Sequence, residues 1–376
     1  MSTGRSLAAV ATAPREMELR EIPLPEVGPD AGLLRVSATG VCGSDWPMYN
    51  TKDPGPRILG HEMVGTIEKI GPIARKMWGV EEGDYVALEE YLPCGHCEYC
   101  RGGEFRSCME TDSRIPGAIR YGSTALAVEP ALWGGFSQYL YLHPRTVMHR
   151  VPKNVPPHIA AMAIPLGNGF QWAYLDGEAG PGKTVVIQGP GQTGLACVLA
   201  SKIAGADKII LTGLARDQKR FEVAKQLGAD VTVAVDEEDL VHVVAQHTGG
   251  AMADVVIEAT SAGTEIINSS LKLVRKRGML LLASRKGRPV DQFDLDRALG
   301  MQMTIKGVRG HSYRSVEMAL SAMASERYPL ELLSTHVLSL DEVDSALRTV
   351  GGEVRRDAIH MTIDPWLERG HTNVEA

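Results

Sequence analysis

The pattern of hydrophobic and polar positions changes near residue 156. Before this point, short apolar runs at 33–41, 63–70, 84–91 and 136–142 are separated by segments rich in Pro and Gly. The run FSQYLYL at 136–142 alternates in the way that a half-buried strand does. We therefore predict an irregular, mainly antiparallel β domain with long loops.

After residue 180, strand-length apolar runs alternate with helical patterns. The predicted strands are 183–189, 208–213, 231–235, 254–260 and 279–284. The predicted helices are 193–206, 217–229, 236–249 and 264–278. Because strands that alternate with helices of this length specify a parallel sheet, we predict a doubly wound α/β domain in this part of the chain.

The segments on either side of this domain are less regular. Residues 157–177 predict a helix that is broken by Pro165, Gly167 and Gly169. The tail from Thr304 has further strand and helix patterns but no glycine motif of its own. This leaves the tail free to rejoin the first domain.

Length and composition limit the class of protein. A chain of 376 residues is long enough for two domains, and 44% hydrophobic with 23% charged residues is typical of a globular protein. The net charge of −7 argues against nucleic acid and anionic membranes as partners. Apolar stretches such as the one around Leu281 are far shorter than the ~20 residues needed to span a bilayer. We expect a cytoplasmic protein.

Four cysteines, Cys94, Cys97, Cys100 and Cys108, lie within fifteen residues in the spacing C-x2-C-x2-C-x7-C. Four thiolates can close a tetrahedral shell around zinc at about 2.3 Å, and such a shell leaves no position for water or substrate. We therefore predict a structural zinc site in residues 94–108, which are called the cysteine lobe below.

Two other interpretations of the cysteine lobe are weaker. A disulfide pair is disfavoured because a chain of this size with six cysteines and no apolar N-terminal segment is not typical of disulfide-rich secreted domains. An iron–sulfur cluster is disfavoured because the last gap is seven residues instead of three and no proline follows Cys108.

A glycine-rich turn follows the first strand of the α/β domain. Gly189, Gly191 and Gly194 form G-x-G-x-x-G, with Gln192 and Thr193 between the last two. The first glycine permits a tight turn, the second lets the backbone approach a pyrophosphate, and the third lets the helix pack on the strand. Because the motif closes a strand and opens a helix, it predicts a dinucleotide site at the helix N-terminus.

The choice between NAD and NADP depends on the end of the second strand. Gly213 occupies the position where an acidic residue would bind the ribose diol. Arg216, Lys219 and Arg220 follow and could bind a 2′-phosphate, whereas Asp217 is a competing acidic candidate. The basic residues favour NADP over NAD. The same segment is also compatible with a solvated helix start.

A second cluster of ligand-type residues lies in the β domain. Cys42 is in GVCGSD, and His61 and Glu62 follow nineteen residues later in LGHE. Thiolate and imidazole are ligands that suit zinc, and Glu62 adds a carboxylate beside them. Asp45 is placed to accept the other imidazole N–H of His61.

Together these motifs resemble the zinc-dependent medium-chain dehydrogenases/reductases of the alcohol and sorbitol dehydrogenase type. GVCGSD, GHEMVGTIEKIG, the cysteine lobe, GPGQTG and VIEAT occur in that family's order over nearly the whole chain. The resemblance implies a GroES-like, mainly β catalytic domain and a Rossmann domain with a doubly wound parallel sheet. We place the first part of the catalytic domain at 1–168, the Rossmann domain at 169–307 and the return to the catalytic domain at 308–376.

The resemblance also implies roles for single residues. Cys42 and His61 match ligands of a catalytic zinc, and Glu62 matches a ligand in polyol dehydrogenases that is an alternate ligand in other members. Ser44 matches the hydroxyl that takes the alcohol proton. The cysteine lobe matches the family's structural zinc site, so two zinc ions per chain are expected.

Some positions depart from the family pattern. Ile164 and Asn168 stand where the family often supplies a further ligand, so the catalytic zinc is expected either to take a water as its remaining ligand or to be weakly held. Pro47 replaces the usual proton-relay histidine, so the relay after Ser44 must use water, the ribose or another group. Gly213 replaces the familiar acidic residue.

The function implied is zinc-dependent hydride transfer between a secondary or polyol-like alcohol and NAD(P)+, in a homodimer or homotetramer. One alternative is a zinc-independent quinone or enoyl reductase on the same fold, which the Cys42, His61 and Glu62 cluster disfavours. Another is a non-catalytic binding protein that keeps the fold and the structural zinc.

Overall fold

The computed structural model describes residues 4–51, 55–112, 115 and 117–368. The chain divides into two compact units. One unit comprises Met1–Ile164 and Leu320–Ala376, and the other comprises Pro165–Ala319. The sequence-based boundaries after 168 and 307 stay predictions.

Strands are numbered in chain order. They are β1 (Arg5–Ala13), β2 (Glu16–Pro23), β3 (Gly32–Gly40), β4 (Arg57–Ile58), β5 (Glu62–Ile70), β6 (Tyr85–Leu88), β7 (Tyr139–Leu142), β8 (Met148–Arg150), β9 (Thr184–Gln188), β10 (Lys208–Gly213), β11 (Val231–Ala234), β12 (Ala253–Glu258), β13 (Val274–Leu282), β14 (Thr304–Gly307), β15 (Ser334–Leu338) and β16 (His360–Ile363).

Helices are numbered in the same way. They are α1 (Asp45–Tyr49), α2 (Pro72–Trp78), α3 (Glu98–Arg101), α4 (Pro157–Ala160), α5 (Ala163–Gly169), α6 (Gln192–Ile203), α7 (Gln218–Leu227), α8 (Leu240–His247), α9 (Glu265–Leu273), α10 (Leu295–Gly300), α11 (Tyr313–Ala324) and α12 (Val343–Val350). Short 3₁₀ turns lie at Phe105–Ser107, Met109–Thr111, Ala215–Asp217, Leu330–Leu332 and Leu340–Glu342.

The first unit is mainly β. Among the described residues, a three-stranded antiparallel sheet has the order β2-β1-β4. A larger mixed sheet has the order β15-β16-β3-β5-β6-β8, and β7 also pairs with β3. Leu34, Val36 and Ile67 form part of its buried core together with Trp133. Because β16 pairs with β3, the C-terminal segment completes the sheet that the N-terminal segment begins.

Two strands of this unit are shorter than predicted. The apolar runs at 84–91 and 136–142 become β6 and β7, and the residues beside them make other hydrogen bonds instead. The N–H of Glu89 donates to the carbonyl of Val147, and the N–H of Phe136 donates to the carbonyl of Leu59. The bond from Glu89 extends the β6–β8 pairing by one residue, whereas the bond from Phe136 joins the chain to the loop between β4 and β5.

The second unit, which is described throughout, is built on a parallel sheet. Its strand order is β11-β10-β9-β12-β13-β14, and every neighbouring pair is parallel. This is the doubly wound order of dinucleotide-binding domains. Val186, Ile210, Val233, Val256 and Leu280 place buried apolar side chains on five neighbouring strands. The predicted fold class, α/β with a mainly β domain and a doubly wound parallel sheet, is confirmed.

The predicted helix at 264–278 is wrong in its second half. α9 ends at Leu273, and β13 begins at Val274. Val274 pairs with Ala253 of β12, and Arg277 then adopts a left-handed φ of 60° within an irregular stretch of the ladder. Sheet pairing thus overrides the helical preference of this charged segment.

The predicted breaks at Pro165, Gly167 and Gly169 are also wrong. α5 runs through all three and continues as the π-helical segment Phe170–Asp176, while the interruption falls at residues 161–162. Pro165 lies in the first turn of α5, where its missing N–H removes no helical bond. A Cβ at Gly169 would lie 2.5 Å from a backbone carbonyl carbon of α6, so this glycine permits close helix packing.

None of the described helices is long and apolar enough to cross a membrane.

Candidate catalytic zinc and cofactor sites

Strand pairing in the first unit brings Cys42, His61 and Glu62 together. β3 ends at Gly40 and β5 begins at Glu62, and these two residues are paired across the sheet. Cys42 follows β3 in the turn to α1, and His61 directly precedes β5. The ligand atoms of the three residues lie within 4.8 Å of one another. They are called the Cys42 cluster below.

Asp45 fixes the orientation of two members of this cluster. Its side chain is fully buried. His61 Nδ1 lies 3.1 Å from Asp45 Oδ1, and the backbone N–H of Cys42 donates to Asp45 Oδ2 at 3.0 Å. With the ring hydrogen on Nδ1, His61 Nε2 keeps the lone pair that a metal requires.

Ser44 places an exposed hydroxyl beside the same two ligands. Its Oγ lies 3.2 Å from Cys42 Sγ and 3.1 Å from His61 Nε2. Pro47, two residues into α1, offers no imidazole to continue a proton relay. Any proton that Ser44 accepts must therefore leave through another group or through solvent.

The charges in the Cys42 cluster fit a bound cation. Burial raises the pKa of the Cys42 thiol, and the charge of Glu62 adds to that rise. Burial lowers the pKa of His61, but Asp45 and Cys42 together outweigh it and hold that pKa well above its usual value. The half-buried Cys42 thiol and the buried carboxyl groups of Asp45 and Glu62 surround the His61 imidazole, and a divalent cation would offset this concentration of acidic groups. Sulfur, nitrogen and oxygen donors at this separation suit zinc.

Glu62 has a second buried contact. Nε2 of His360, on β16, lies 3.3 Å from Glu62 Oε2, and each residue is 1% exposed. The two residues are 298 positions apart in the chain. They meet because β3 lies between β16 and β5 in the sheet.

The cysteine lobe gathers its four sulfur atoms within 4.8 Å of one another. Cys100 Sγ lies 3.9 Å from Cys94 Sγ and 3.4 Å from Cys97 Sγ. These separations are too long for a disulfide of about 2.05 Å. They are close to the sulfur–sulfur distance of about 3.8 Å that tetrahedral zinc imposes at about 2.3 Å per bond. The lobe therefore fits one zinc ion.

Backbone groups of the lobe point at the sulfur atoms. The N–H of Cys97 donates to Cys94 Sγ, and the N–H of Cys94 donates to Cys108 Sγ, both at 3.3 Å. Backbone hydrogen bonds, first from His96, lower the pKa of Cys94 to about 6. Burial raises the pKa of Cys100 to about 12. Donated N–H bonds favour the thiolate form, which is the form that binds zinc.

The glycine turn of the second unit gives each glycine a separate geometric role. Gly189 follows β9 with a left-handed φ of 107°. A Cβ at Gly194 would lie 1.8 Å from the carbonyl oxygen of Gly189, so only glycine allows α6 to pack this close. A Cβ at Gly191 would meet nothing within 4 Å. Open space beside this backbone is what a pyrophosphate needs.

The first turn of α6 offers backbone N–H groups at the same place. Gln192 and Thr193 are its first two residues, and Gly191 before them makes no side-chain cap. The N–H groups of a helix start and the helix dipole both favour an anion.

The end of β10 has no room for the acidic residue that the motif usually carries. A Cβ at Gly213 would lie 2.8 Å from Pro190 Cγ and 3.1 Å from Asp217 Oδ2. The same Asp217 oxygen accepts the N–H of Leu214 at 2.9 Å. Arg216 is exposed. The Asp217 carboxylate therefore occupies the space beside the end of β10.

Comparison with known proteins shows the family of this chain. A family profile described as "Alcohol dehydrogenase GroES-like domain" matches residues 28–153, and one described as "Zinc-binding dehydrogenase" matches residues 193–325. A probable alcohol dehydrogenase of Mycobacterium tuberculosis is 37% identical over 374 residues, which cover 97% of this chain and 100% of the relative. This chain belongs to the zinc-binding dehydrogenase family.

Further members of the zinc-binding dehydrogenases are similar over most of their length. A sorbitol dehydrogenase of Halalkalibacterium halodurans is 30% identical over 335 residues, covering 88% of this chain and 92% of the relative. The solved structure of an alcohol dehydrogenase from Thermotoga maritima has a TM-score of 0.84 at 25% identity and covers 96% of this chain and 99% of that one. The predicted family, fold and oxidoreductase class are confirmed, with zinc and NAD(P) as the general cofactors.

The departures from the zinc-binding dehydrogenase pattern have structural partners of their own. Asn168 Oδ1 lies 3.1 Å from His311 Nδ1, with which it forms a hydrogen bond. Ile164 is a buried apolar residue at 6% exposure. Among the described residues, the Cys42 cluster gains no fourth His, Cys, Asp or Glu within the same 4.8 Å.

Sequence reasoning missed His360. The residue stands in a short strand near the C-terminus with no motif around it, and only the β16–β3–β5 arrangement places it beside Glu62. The one available signal was the expectation that the tail rejoins the catalytic domain, which does not single out a residue.

Proposed function

We propose that this protein is a zinc-dependent oxidoreductase that transfers hydride between a secondary or polyol-like alcohol and NAD(P)+ and also runs the reverse carbonyl reduction. The proposal rests on the Cys42 cluster and the exposed hydroxyl of Ser44 beside it. Three protein ligands with one position left for a further oxygen are typical of a catalytic zinc and not of a structural one.

When bound, zinc supplies a Lewis acid that lowers the pKa of an alcohol oxygen, and the nicotinamide supplies the hydride acceptor. Ser44 accepts the proton of the alcohol, and its exposure lets the proton pass outward to water or to the ribose. Asp45 keeps His61 in the tautomer whose Nε2 can bind metal, and it holds the backbone at Cys42. The two residues therefore have different roles: Ser44 takes part in proton transfer, and Asp45 orients the metal ligands.

The polyol-like substrate class rests on Glu62. By resemblance, Glu62 matches a carboxylate that binds zinc in polyol dehydrogenases. One similar protein is named a sorbitol dehydrogenase. A vicinal hydroxyl can add a second contact to the metal site or to Ser44. We expect diols and sugar alcohols to be better substrates than simple primary alcohols.

Two zinc ions per chain are part of the proposal. The cysteine lobe supplies four sulfur ligands for one ion, and the Cys42 cluster supplies three ligands for the other. Metal analysis of purified protein should give two zinc ions per chain. A value of one would favour the zinc-independent reductase or the binding protein.

For the dinucleotide we propose NADP in preference to NAD. Arg216 and Lys219 are exposed directly after β10, and guanidinium groups bind phosphate strongly. Asp217 favours NAD instead, because its carboxylate lies beside Gly213 and would repel a 2′-phosphate. Arg216→Ala should lower kcat/KM for NADP by about tenfold and leave NAD nearly unchanged. An enzyme that prefers NAD and does not respond to this substitution would overturn the NADP assignment.

We also propose that the protein is a homo-oligomer, a dimer or a tetramer. β14 is an edge strand whose four residues are exposed, and an exposed strand edge is a template for pairing with another chain. Leu295, Leu299 and Ile305 add apolar surface, at 57%, 66% and 37% exposure. Light scattering of the native protein and of Ile305→Lys tests this, with a shift toward monomer expected for the variant.

The experiment that tests the function is an alcohol panel run with NAD and NADP in parallel on the wild-type protein and on Cys42→Ala. We expect turnover of secondary alcohols or polyols by the wild type and its loss in a folded Cys42→Ala protein that retains one zinc. Unchanged turnover in Cys42→Ala would sink the proposal and favour a zinc-independent reductase. No turnover of any alcohol or carbonyl by the wild type would favour the binding protein.

A further inference from the structure

His360 is buried against the Cys42 cluster without belonging to it. Its Nε2 lies 3.3 Å from Glu62 Oε2, and both residues are 1% exposed. Yet the group whose ligand atoms all lie within 4.8 Å contains only Cys42, His61 and Glu62. His360 can therefore affect this group through Glu62.

The ring of His360 is held on its other side. Thr362 Oγ1 lies 3.4 Å from His360 Nδ1. The backbone N–H of His360 donates to the carbonyl of Leu333 at 3.0 Å, and the hydroxyl of Thr335 donates to the carbonyl of His360 at 3.1 Å. If the Thr362 hydroxyl donates to Nδ1, Nε2 carries the hydrogen that points at Glu62.

The contact between Glu62 and His360 also depends on Gly40. A Cβ at this position would lie 2.3 Å from Glu62 Oε2 and 2.6 Å from His360 Nε2. The φ of Gly40 is not left-handed, so close approach is the reason for glycine here. The absence of a side chain at Gly40 leaves the space in which the carboxylate and the imidazole meet.

We propose that His360 is a positioning residue for the zinc site: its contact with Glu62 Oε2 holds the Glu62 carboxylate in place beside Cys42 and His61. The inference rests on the proposed function, because it takes Glu62 as a zinc ligand. A carboxylate with two free oxygens and rotatable bonds loses conformational entropy when it binds a metal. Groups that hold a ligand in place typically contribute 10–100-fold to metal affinity.

The test compares His360→Leu with His360→Gln in the full-length holoenzyme. Leucine fills much of the same volume without a donor, whereas the amide of glutamine can reach the position of Nε2. Zinc affinity of the Cys42 cluster is measured by competition with a chromophoric chelator, and the cluster is then loaded with cobalt(II) for visible spectroscopy. We expect zinc affinity to fall about 10–100-fold in His360→Leu, with a changed cobalt spectrum. In His360→Gln both properties should stay close to those of the wild type.

Two results would overturn the inference. One is wild-type affinity and a wild-type cobalt spectrum in His360→Leu. The other is equal weakening in the leucine and glutamine variants, which would indicate a packing role only. If His360→Leu does not fold, Thr362→Val replaces it, because it removes the hydroxyl behind the ring with little change in volume. We expect several-fold weaker zinc binding in that variant, and unchanged binding would also overturn the inference.

The Cys42→Ala variant distinguishes failure of the proposed function from failure of the inference about His360. If Cys42→Ala loses zinc and turnover while His360→Leu keeps wild-type zinc affinity, the function stands and the inference fails. If Cys42→Ala keeps both zinc ions and full turnover, the proposed function itself fails.

Discussion

The cysteine lobe and the Cys42 cluster both gather ligands that suit zinc, but the chain assembles them by different routes. The lobe takes all four ligands from fifteen consecutive residues. The Cys42 cluster takes one ligand from a turn after β3 and two from the start of β5, and its buried neighbour His360 comes from β16. A closed structural shell can be built locally. The three-residue Cys42 cluster instead takes its geometry from the sheet around it.

The difference has a physical reason. In the lobe, four sulfur ligands and the N–H groups of the same loop satisfy one another, so the metal can substitute for a core that the loop lacks. In the Cys42 cluster, two of the three ligands have a buried partner outside the cluster, Asp45 for His61 and His360 for Glu62. These partners orient ligands that would otherwise be free to rotate.

The largest expected effect separates the two sites by single substitutions. Cys42→Ala should lower turnover by about a thousandfold or more, because the Lewis acid is lost, while the thermal midpoint changes little. Cys100→Ala should instead lower the thermal midpoint by about 10 °C or more, because metal binding to the lobe is folding free energy. Turnover, zinc content and thermal midpoint are measured on both variants. The comparison breaks if either variant shows the phenotype expected of the other.

A chelator should remove the two proposed zinc ions in sequence. The Cys42 cluster offers three protein ligands and an open position, so dipicolinate can attack its metal first. We expect one zinc ion per chain to leave rapidly together with activity, and the second to leave slowly together with thermal stability. Zinc release and activity are followed in the same sample. Simultaneous loss of both ions would show that the sites do not differ in accessibility.

Alanine at two glycines tests the contrast between the sheet and the loop. Gly40→Ala should cost about 1–3 kcal/mol of unfolding free energy and weaken zinc binding, because the added methyl overlaps Glu62 and His360. Gly95→Ala, in the lobe, adds a methyl that meets nothing within 4 Å but strains a backbone with φ of 80°. It should cost about 1 kcal/mol and leave the Cys42 cluster metal in place. Urea unfolding gives the free energy of unfolding of each variant, and metal analysis gives its zinc content.

The smallest expected effect comes from His143, a ligand of neither site. Burial lowers the pKa of this imidazole to about 4, and the charge of Arg145 adds to the fall. The unfolded chain therefore binds a proton between pH 6.5 and about 4 that the folded chain does not, so stability falls as pH falls through this window. Allowing for its partial exposure, the loss should be about 1 kcal/mol.

His143→Gln is the matched variant for this pH dependence. Its unfolding free energy should fall less between pH 6.5 and 4 than that of the wild type, while turnover at neutral pH stays the same. Equal pH profiles for the two proteins would contradict the assignment of this titration to His143.

Much of the fold and of the candidate site follows from local sequence. The strand that ends at Gln188 and the helix that begins at Gln192 are visible in the alternation of apolar runs, and the glycine spacing marks the turn between them. Sequence reasoning failed where long-range pairing decides local structure. Val274 continues a helical pattern, yet it pairs with Ala253 and begins a strand.

The sequence by itself determined the zinc-type ligands of the cysteine lobe, the glycine turn and the family to which the chain belongs. These features depend on residue type and spacing within short segments, where chain connectivity already limits the geometry. Only the tertiary structure decided that Gly40 leaves the space in which Glu62 meets His360 across 298 positions. That contact depends on strand order and register, which are set by the burial of whole sheets and not by the residues that meet.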